Sequence, residues 1–212
     1  MPTISEVDRR RLEERVGVPR KILRDLEQLD LERPAVIEAL GFVDATDRRP
    51  CLVLGGAVGV GKSCAAAWAA ANAKKPRRTV RYHDHRDGSE GEMELEGDPV
   101  SAVWVHALDL FRASTYDREF WPRVERPILL VIDDLGAVSL DAKGHAAETL
   151  ANLLCRREAR DAKTIITCNI TAEQFLADYC SGAGERVRDR LRAHGRWFFS
   201  VPGASLRGRQ AS

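Results

Sequence analysis

The sequence predicts an α/β fold, a mostly buried parallel sheet of about five strands with helices on both faces. Three observations carry that expectation. Gly56-Ala57-Val58-Gly59-Val60-Gly61-Lys62-Ser63 follows the apolar run Cys51–Leu54 and opens the alanine-rich run Cys64–Ala73, so a strand gives way to a helix through a glycine loop. Ile128–Ile132 is an unbroken apolar run that ends in Asp133 and Asp134, the pattern of a central strand covered on both faces. Further apolar runs at Ala102–Ala107, Thr164–Cys168 and Trp197–Val201 alternate with segments of helical spacing. A chain of 212 residues, 44% hydrophobic and 31% charged, can bury one sizeable core, and one main domain is expected.

In chain order, residues 1–45 read as a short N-terminal helical segment and 46–212 as the α/β domain. Ile22, Leu23, Leu26, Leu29 and Leu31 form an apolar stripe, Pro34 restarts a helix and Gly41 is expected to stop it. The segment is too short for a core of its own and is expected to pack on the main body or on a partner. Thr79–Gly97, with alternating runs around Gly88 and Ser89, suggests an exposed hairpin. Phe111–Arg126 interleaves Phe111, Tyr116, Phe120 and Trp121 with Arg112, Arg118, Arg123 and Arg126, which suits either a surface for single-stranded nucleic acid or an amphipathic helix. A helix from about Lys143 to Arg160 comes next, and Thr171 and Gln174 form a capping box at the start of another. Cys51, Cys64, Cys155, Cys168 and Cys180 lie mostly in apolar runs without a C-x-x-C pair, as buried free thiols do.

The glycine loop is the place where chemistry can be read most directly. Backbone amides of Gly56, Gly59, Val60 and Gly61 can turn towards phosphate oxygens at a helix N-terminus, Lys62 can reach the β and γ phosphates, and Ser63 can hold Mg²⁺. ATP with Mg²⁺ is the expected ligand. Asp133, at a strand's carboxyl end, is the expected metal partner opposite Ser63, and Asp134 the residue that polarises the attacking water. Asn169, at the tip of the next strand, can sense the γ-phosphate through that water. Net charge is only +1, but from Glu185 onward the chain carries Arg186, Arg188, Arg190, Arg192, Arg196, Arg207 and Arg209 and no lysine, a composition suited to phosphates or carboxylates.

Taken together, the loop Gly56–Ser63, the run Leu129–Gly136, the strand Thr164–Asn169 and the stretch Gly184–Leu191 resemble the AAA+ ATPases of the DnaC/IstB group, over about residues 50–207. The resemblance implies that Lys62 and Ser63 belong to Walker A, Asp133 and Asp134 to Walker B, that Asn169 is sensor 1, Arg190 the arginine finger and Arg207 a sensor 2 residue. It also aligns Trp104–Leu110 with the element that carries a DNA-binding insertion in that group. Asp134 stands where Glu is usual, the 79–97 hairpin is extra, no large partner-binding domain precedes residue 46, and no C-terminal helical lid is expected.

The function expected is therefore an ATP-dependent, DNA-associated AAA+ ATPase that oligomerises as a ring or filament and recruits or remodels a replicative helicase. An IstB-like helper of a transposase is the alternative, and a P-loop kinase or a non-hydrolysing scaffold are more distant ones. Single-stranded DNA is the expected nucleic-acid partner, with Arg112, Arg118 and Arg123 as its contacts. The amino terminus has no apolar signal core and no run is long enough to span a bilayer, so a cytoplasmic protein with no membrane partner is expected.

Overall fold

A computed structural model describes residues 5–44, 46–76, 78–83, 90–95, 97–136, 143–180, 185–193 and 195–203. Its central sheet has five strands in the order β4-β5-β6-β1-β7, all parallel: β1 Cys51–Gly55, β4 Ala102–His106, β5 Leu129–Asp133, β6 Lys163–Cys168 and β7 Phe198–Ser200. The five apolar runs of the sequence are these five strands. β6 lies between β1 and β5, pairing Leu52 with Ile165 on one side and Val131 with Ile165 on the other.

Because strand side chains alternate between faces, each central strand feeds two cores. Leu52, Leu54, Leu129, Val131 and Ile165 face one, together with the helix α4 Lys62–Asn72 and the N-terminal helices. Cys51, Val53, Leu130, Ile132, Ile166 and Cys168 face the other, against α5 Ala107–Arg112, α7 Lys143–Glu158, α8 Ala172–Tyr179 and α9 Glu185–Ala193. In α4, Ala65, Ala66, Ala67, Ala69 and Ala70 are fully buried, their short side chains letting the sheet and the N-terminal helices approach from two sides.

The N-terminal segment comprises α1 Glu6–Arg10, a π-helical turn Arg11–Val16 closed by Gly17 in the left-handed conformation, α2 Arg20–Leu26 and α3 Pro34–Val43. Its Leu12, Val16, Leu23, Leu26, Val36, Ala39 and Phe42 join the core around α4, so it packs on the body of the same chain. Gly41 does not stop α3 as expected. The helix continues to Val43 because Phe42 is fully buried, and burying that ring outweighs a helical glycine's cost of about 1 kcal/mol.

The expected hairpin forms: β2 Arg78–His83 pairs antiparallel with β3 Glu90–Leu95. Its base is closed by Lys75 N–H donating to the Asp98 carbonyl at 2.9 Å and Val100 N–H to the Ala73 carbonyl at 3.0 Å. Residues Phe111–Arg126 do not form one helix. After α5 the chain turns at Ser114–Asp117, where the Asp117 carboxylate accepts the amides of Glu119 and Phe120, and α6 Phe120–Glu125 follows. Phe111 is buried and stacks near Tyr179, and Phe120 and Trp121 pack on the same core, so three of the four aromatics are drawn inward. Tyr116 remains 90% exposed.

Beneath the sheet, the fully buried Arg157 of α7 donates to Thr164 Oγ1 at 2.9 Å and to the carbonyls of Val124, Pro127 and Lys163 at 2.8, 3.0 and 2.6 Å. Burial pulls its guanidinium down to about 10, still cationic at neutral pH. One side chain thereby ties α7 to the entries of β5 and β6. The capping box on α8 is present, with the Thr171 hydroxyl accepting the Gln174 amide and the Gln174 side chain accepting the Thr171 amide. All five cysteines are free, three of them buried.

Candidate functional site: a phosphate loop between three strand ends

The parallel sheet brings the carboxyl ends of β1, β5 and β6 to one edge, and the sequence places Gly56, Asp133–Asp134 and Asn169 there. The loop after β1 must turn sharply before α4 begins. Gly56 has φ 141°, and a Cβ there would lie 2.9 Å from the Val201 carbonyl oxygen, so the loop can hug the strand only with glycine. Gly61 has φ 93° and caps α4 without a side chain, leaving the first helical amides open to an anion. Gly59 also has positive φ. Val60, by contrast, turns its side chain into the core and can offer a ligand only its backbone.

Lys62 is buried, with Nζ donating to the carbonyls of Gly56 and Ala57 at 2.7 Å each and to Asn169 Oδ1 at 2.9 Å. The ammonium thus sits in the bowl of the loop, reaching the tip of β6. Ser63 Oγ donates to Asp133 Oδ1 at 2.7 Å. A hydroxyl and a carboxylate held together, one on α4 and one on β5, are the oxygen donors a Mg²⁺ ion takes along with phosphate and water. The glycine cradle, the buried ammonium and this oxygen pair fit a Mg²⁺-bound nucleoside triphosphate.

Asp134 is held differently. Its backbone is left-handed, φ 60°, and its amide donates to Thr167 Oγ1 at 3.0 Å. Asn169 Nδ2 donates to Asp134 Oδ1 at 3.0 Å. The Asn169 amide therefore bridges Lys62 and Asp134, and Asp134 stays half-exposed while Asp133 is buried.

Two residues here were not singled out by sequence reasoning. Thr167 donates to Asp133 Oδ1 at 2.6 Å while accepting from Asp134 N–H, so one hydroxyl positions both acids. Its position two residues before Asn169 on an apolar strand was the available signal. His106 Nδ1 accepts the Leu108 amide at 3.2 Å, which leaves the proton on Nε2, 3.8 Å from Asp134 Oδ2. Only the parallel pairing that sets His106 opposite Asp133 brings it there.

Two thiols adjoin the site. Burial, with Asp25 and Asp133 nearby, pushes Cys64 up to about 12, and burial raises Cys168 to about 11, so both are neutral and inert at physiological pH. Among the described residues there is no cluster of three or more His, Cys, Asp or Glu fit for a metal ion, and no helix is long and apolar enough to cross a membrane.

Of the other expected site residues, Arg112, Arg118 and Arg123 are exposed on α5, the turn after it and α6. Arg190 lies on α9, and its side chain falls outside the described residues, as does the whole of Arg207. Around Arg190, Val187 and Leu191 are buried and line a small cavity with Pro50, Cys51, Leu154 and Glu158. That part of α9 is anchored at the start of β1, whereas the phosphate loop leaves its end. A strand of that length separates the two by roughly 16 Å.

No protein-family model matches the chain, and no curated protein matches it. Solved structures do. DnaI aligns with a TM-score of 0.58 at 22% identity, covering 92% of this chain and 98% of that one. The DnaC helicase loader aligns with a TM-score of 0.58 at 18% identity, covering 87% of this chain and 100% of that one. AMPPCP-bound DnaA from Aquifex aeolicus aligns with a TM-score of 0.55 at 15% identity over 87% of this chain, which spans about half of DnaA, 51%. At such identities the likeness is one of fold: the chain shares the parallel α/β architecture of these structures.

Proposed function

We propose that the chain is an ATP-hydrolysing AAA+ ATPase that assembles with copies of itself and acts on a partner protein during replication, in the manner of a helicase loader. The observation that carries the reading is the bond network running from Lys62 through Asn169 to Asp134 and from Ser63 through Asp133 to Thr167. It couples a phosphate-binding cation, an oxygen pair for a metal and a half-exposed carboxylate across three strands, which is the equipment of phosphoanhydride hydrolysis.

Mg²⁺-ATP supplies the scissile phosphoanhydride and the metal that withdraws charge from it. Lys62 places a positive charge against the β and γ phosphates. Asp134, steered by Asn169 and Thr167, orients a water for attack and draws off its proton. Asn169 contacts both Lys62 and Asp134, so it is suited to report on the γ-phosphate. Arg190 supplies the remaining charge from a neighbouring copy, because its stretch of α9 is fastened at the far end of β1 from its own phosphate loop.

The neighbours support the partner class. DnaC is a helicase loader, and one DnaA structure holds AMPPCP and single-stranded DNA. By the same reasoning single-stranded DNA binds this chain through Arg112, Arg118 and Arg123 with Tyr116 available for stacking. The test is ATP turnover with and without single-stranded DNA. Product is expected to exceed one equivalent per site for the wild type, and Lys62→Ala is expected to lose ATP binding. A wild type that never passes one equivalent would remove hydrolysis from the reading, and normal ATP binding by Lys62→Ala would remove the phosphate-loop assignment.

A further inference from the structure

The β2–β3 ribbon plays no part in the site just described. It is a sheet of two strands with no third among the described residues, so each strand has an outer edge of amides and carbonyls. A two-stranded hairpin alone in water is marginally stable. Among its described side chains, Thr79, Arg81, Glu92, Met93 and Glu94 are all exposed.

Charge is segregated between the two strands. β2 carries Arg78 and Arg81 and no acid, and β3 carries Glu90, Glu92 and Glu94 and no base. Arg81 Nε pairs with Glu92 Oε1 at 3.0 Å across the ribbon. Among the described side chains, the register puts Thr79, Arg81, Glu92 and Glu94 on one face, which is polar, and Met93 and Leu95 on the other. Met93 is 48% exposed on that second face.

Such edges discriminate between partners. Two β2 edges repel one another, as do two β3 edges, and only β2 against β3 joins opposite charges. Within the ribbon the strands are antiparallel. If copies of the chain are stacked head to tail in one orientation, β3 of the first also meets β2 of the next antiparallel. The outcome is one continuous antiparallel sheet of alternating basic and acidic strands, with the faces that bear Met93 and Leu95 on the same side. The contact is heterologous and so propagates into a ring or a filament.

We propose that the ribbon is a self-association element, in which β3 of one copy pairs with β2 of a second copy of this chain. The proposal rests on the reading of the chain as an assembling ATPase and names the contact that links its copies. Mass is measured by sedimentation velocity with ATP, alongside ATP binding, for the wild type, R81E, E92R, an equimolar mixture of R81E and E92R, and a variant in which residues 77–96 are replaced by a short Gly-Ser linker. R81E and E92R are each expected to weaken assembly about tenfold while binding ATP normally. The mixture is expected to recover, since in alternating copies the acid introduced on β2 of the R81E chain can meet the base introduced on β3 of the E92R chain. Wild-type assembly by the linker variant, or by R81E and E92R separately, overturns the ribbon's role and leaves the ATPase reading standing. Failure of the wild type to assemble at any ATP concentration that saturates the site overturns both.

Discussion

The strand-end site and the surface between α5 and α6 are both rich in polar residues, but they use them in opposite ways. At the strand ends Lys62, Ser63, Asp133, Thr167 and Asn169 satisfy one another within a single chain. From α5 to α6, Arg112, Arg118 and Arg123 stand in solvent with Tyr116, while the neighbouring aromatics retreat into the core. Mutually bonded groups, with Lys62, Asp133 and Thr167 buried among them, hold a fixed geometry, because leaving a buried one unpaired costs more than keeping it in place. Exposed cations hold no fixed geometry and gain most from a partner that brings counter-charge. The first arrangement is suited to chemistry and the second to deciding what the chemistry is coupled to.

The largest expected effect tests whether the strand-end site is self-sufficient. Arg190→Ala should bind ATP yet lose roughly three to five orders of magnitude in hydrolysis, as arginine fingers do elsewhere. Mixed with Lys62→Ala, itself inactive, it should recover part of the activity, since one copy keeps the loop and the other keeps the arginine. A steady-state assay of the mixture, at concentrations where mixed oligomers are demonstrated, checks this. No recovery would mean that Arg190 serves its own subunit.

Within the site, Asp134→Asn should retain ATP binding and slow hydrolysis by about two to four orders of magnitude, since the metal-side pair of Ser63 and Asp133 is untouched. Loss of ATP affinity in that variant would show that the two acids have exchanged roles. On the surface, replacing Arg112, Arg118 and Arg123 together by alanine should leave basal ATPase unchanged. It should weaken single-stranded DNA binding and flatten its salt dependence by roughly two units of slope, about 0.7 for each phosphate no longer neutralised. Titrations at several salt concentrations would read it, and an unchanged slope would return these arginines to ordinary solvation.

The two regions also differed in how far the sequence exposed them. The loop, its helix and the acid-tipped strand are local: a glycine turn, an alanine run and five apolar residues determine them without reference to the rest of the chain. Lys62, Ser63, Asp133, Asp134 and Asn169 could be gathered in advance because a parallel sheet ends its strands on one edge. Thr167 and His106 were hidden, one as an ordinary β-branched strand residue and the other behind a pairing that only the folded sheet reveals. Phe111–Arg126 was ambiguous because aromatics spaced among arginines fit a core face and a nucleic-acid face equally. The turn at Ser114–Asp117 and the Trp121 indole, donating to the Ser114 carbonyl at 2.8 Å, resolve it into two short helices. Gly41 misled for a related reason, since burial of Phe42 was invisible in the local pattern.

The placement of β6 has a consequence for the chain's quality control. The loop leaves β1 and the acids leave β5, strands that never pair, and apart from the Ser63–Asp133 bond what joins them passes through the strand between. A slip of β6 by one residue would invert its faces, sending Thr167 and Asn169 away from the acids and Ile165 and Ile166 into each other's cores. A chain threaded in that way would still contain every motif intact, yet it would lack the bond network on which the proposed hydrolysis rests. Turnover by this protein would therefore certify its own sheet, and a misassembled copy would be unable to consume nucleotide.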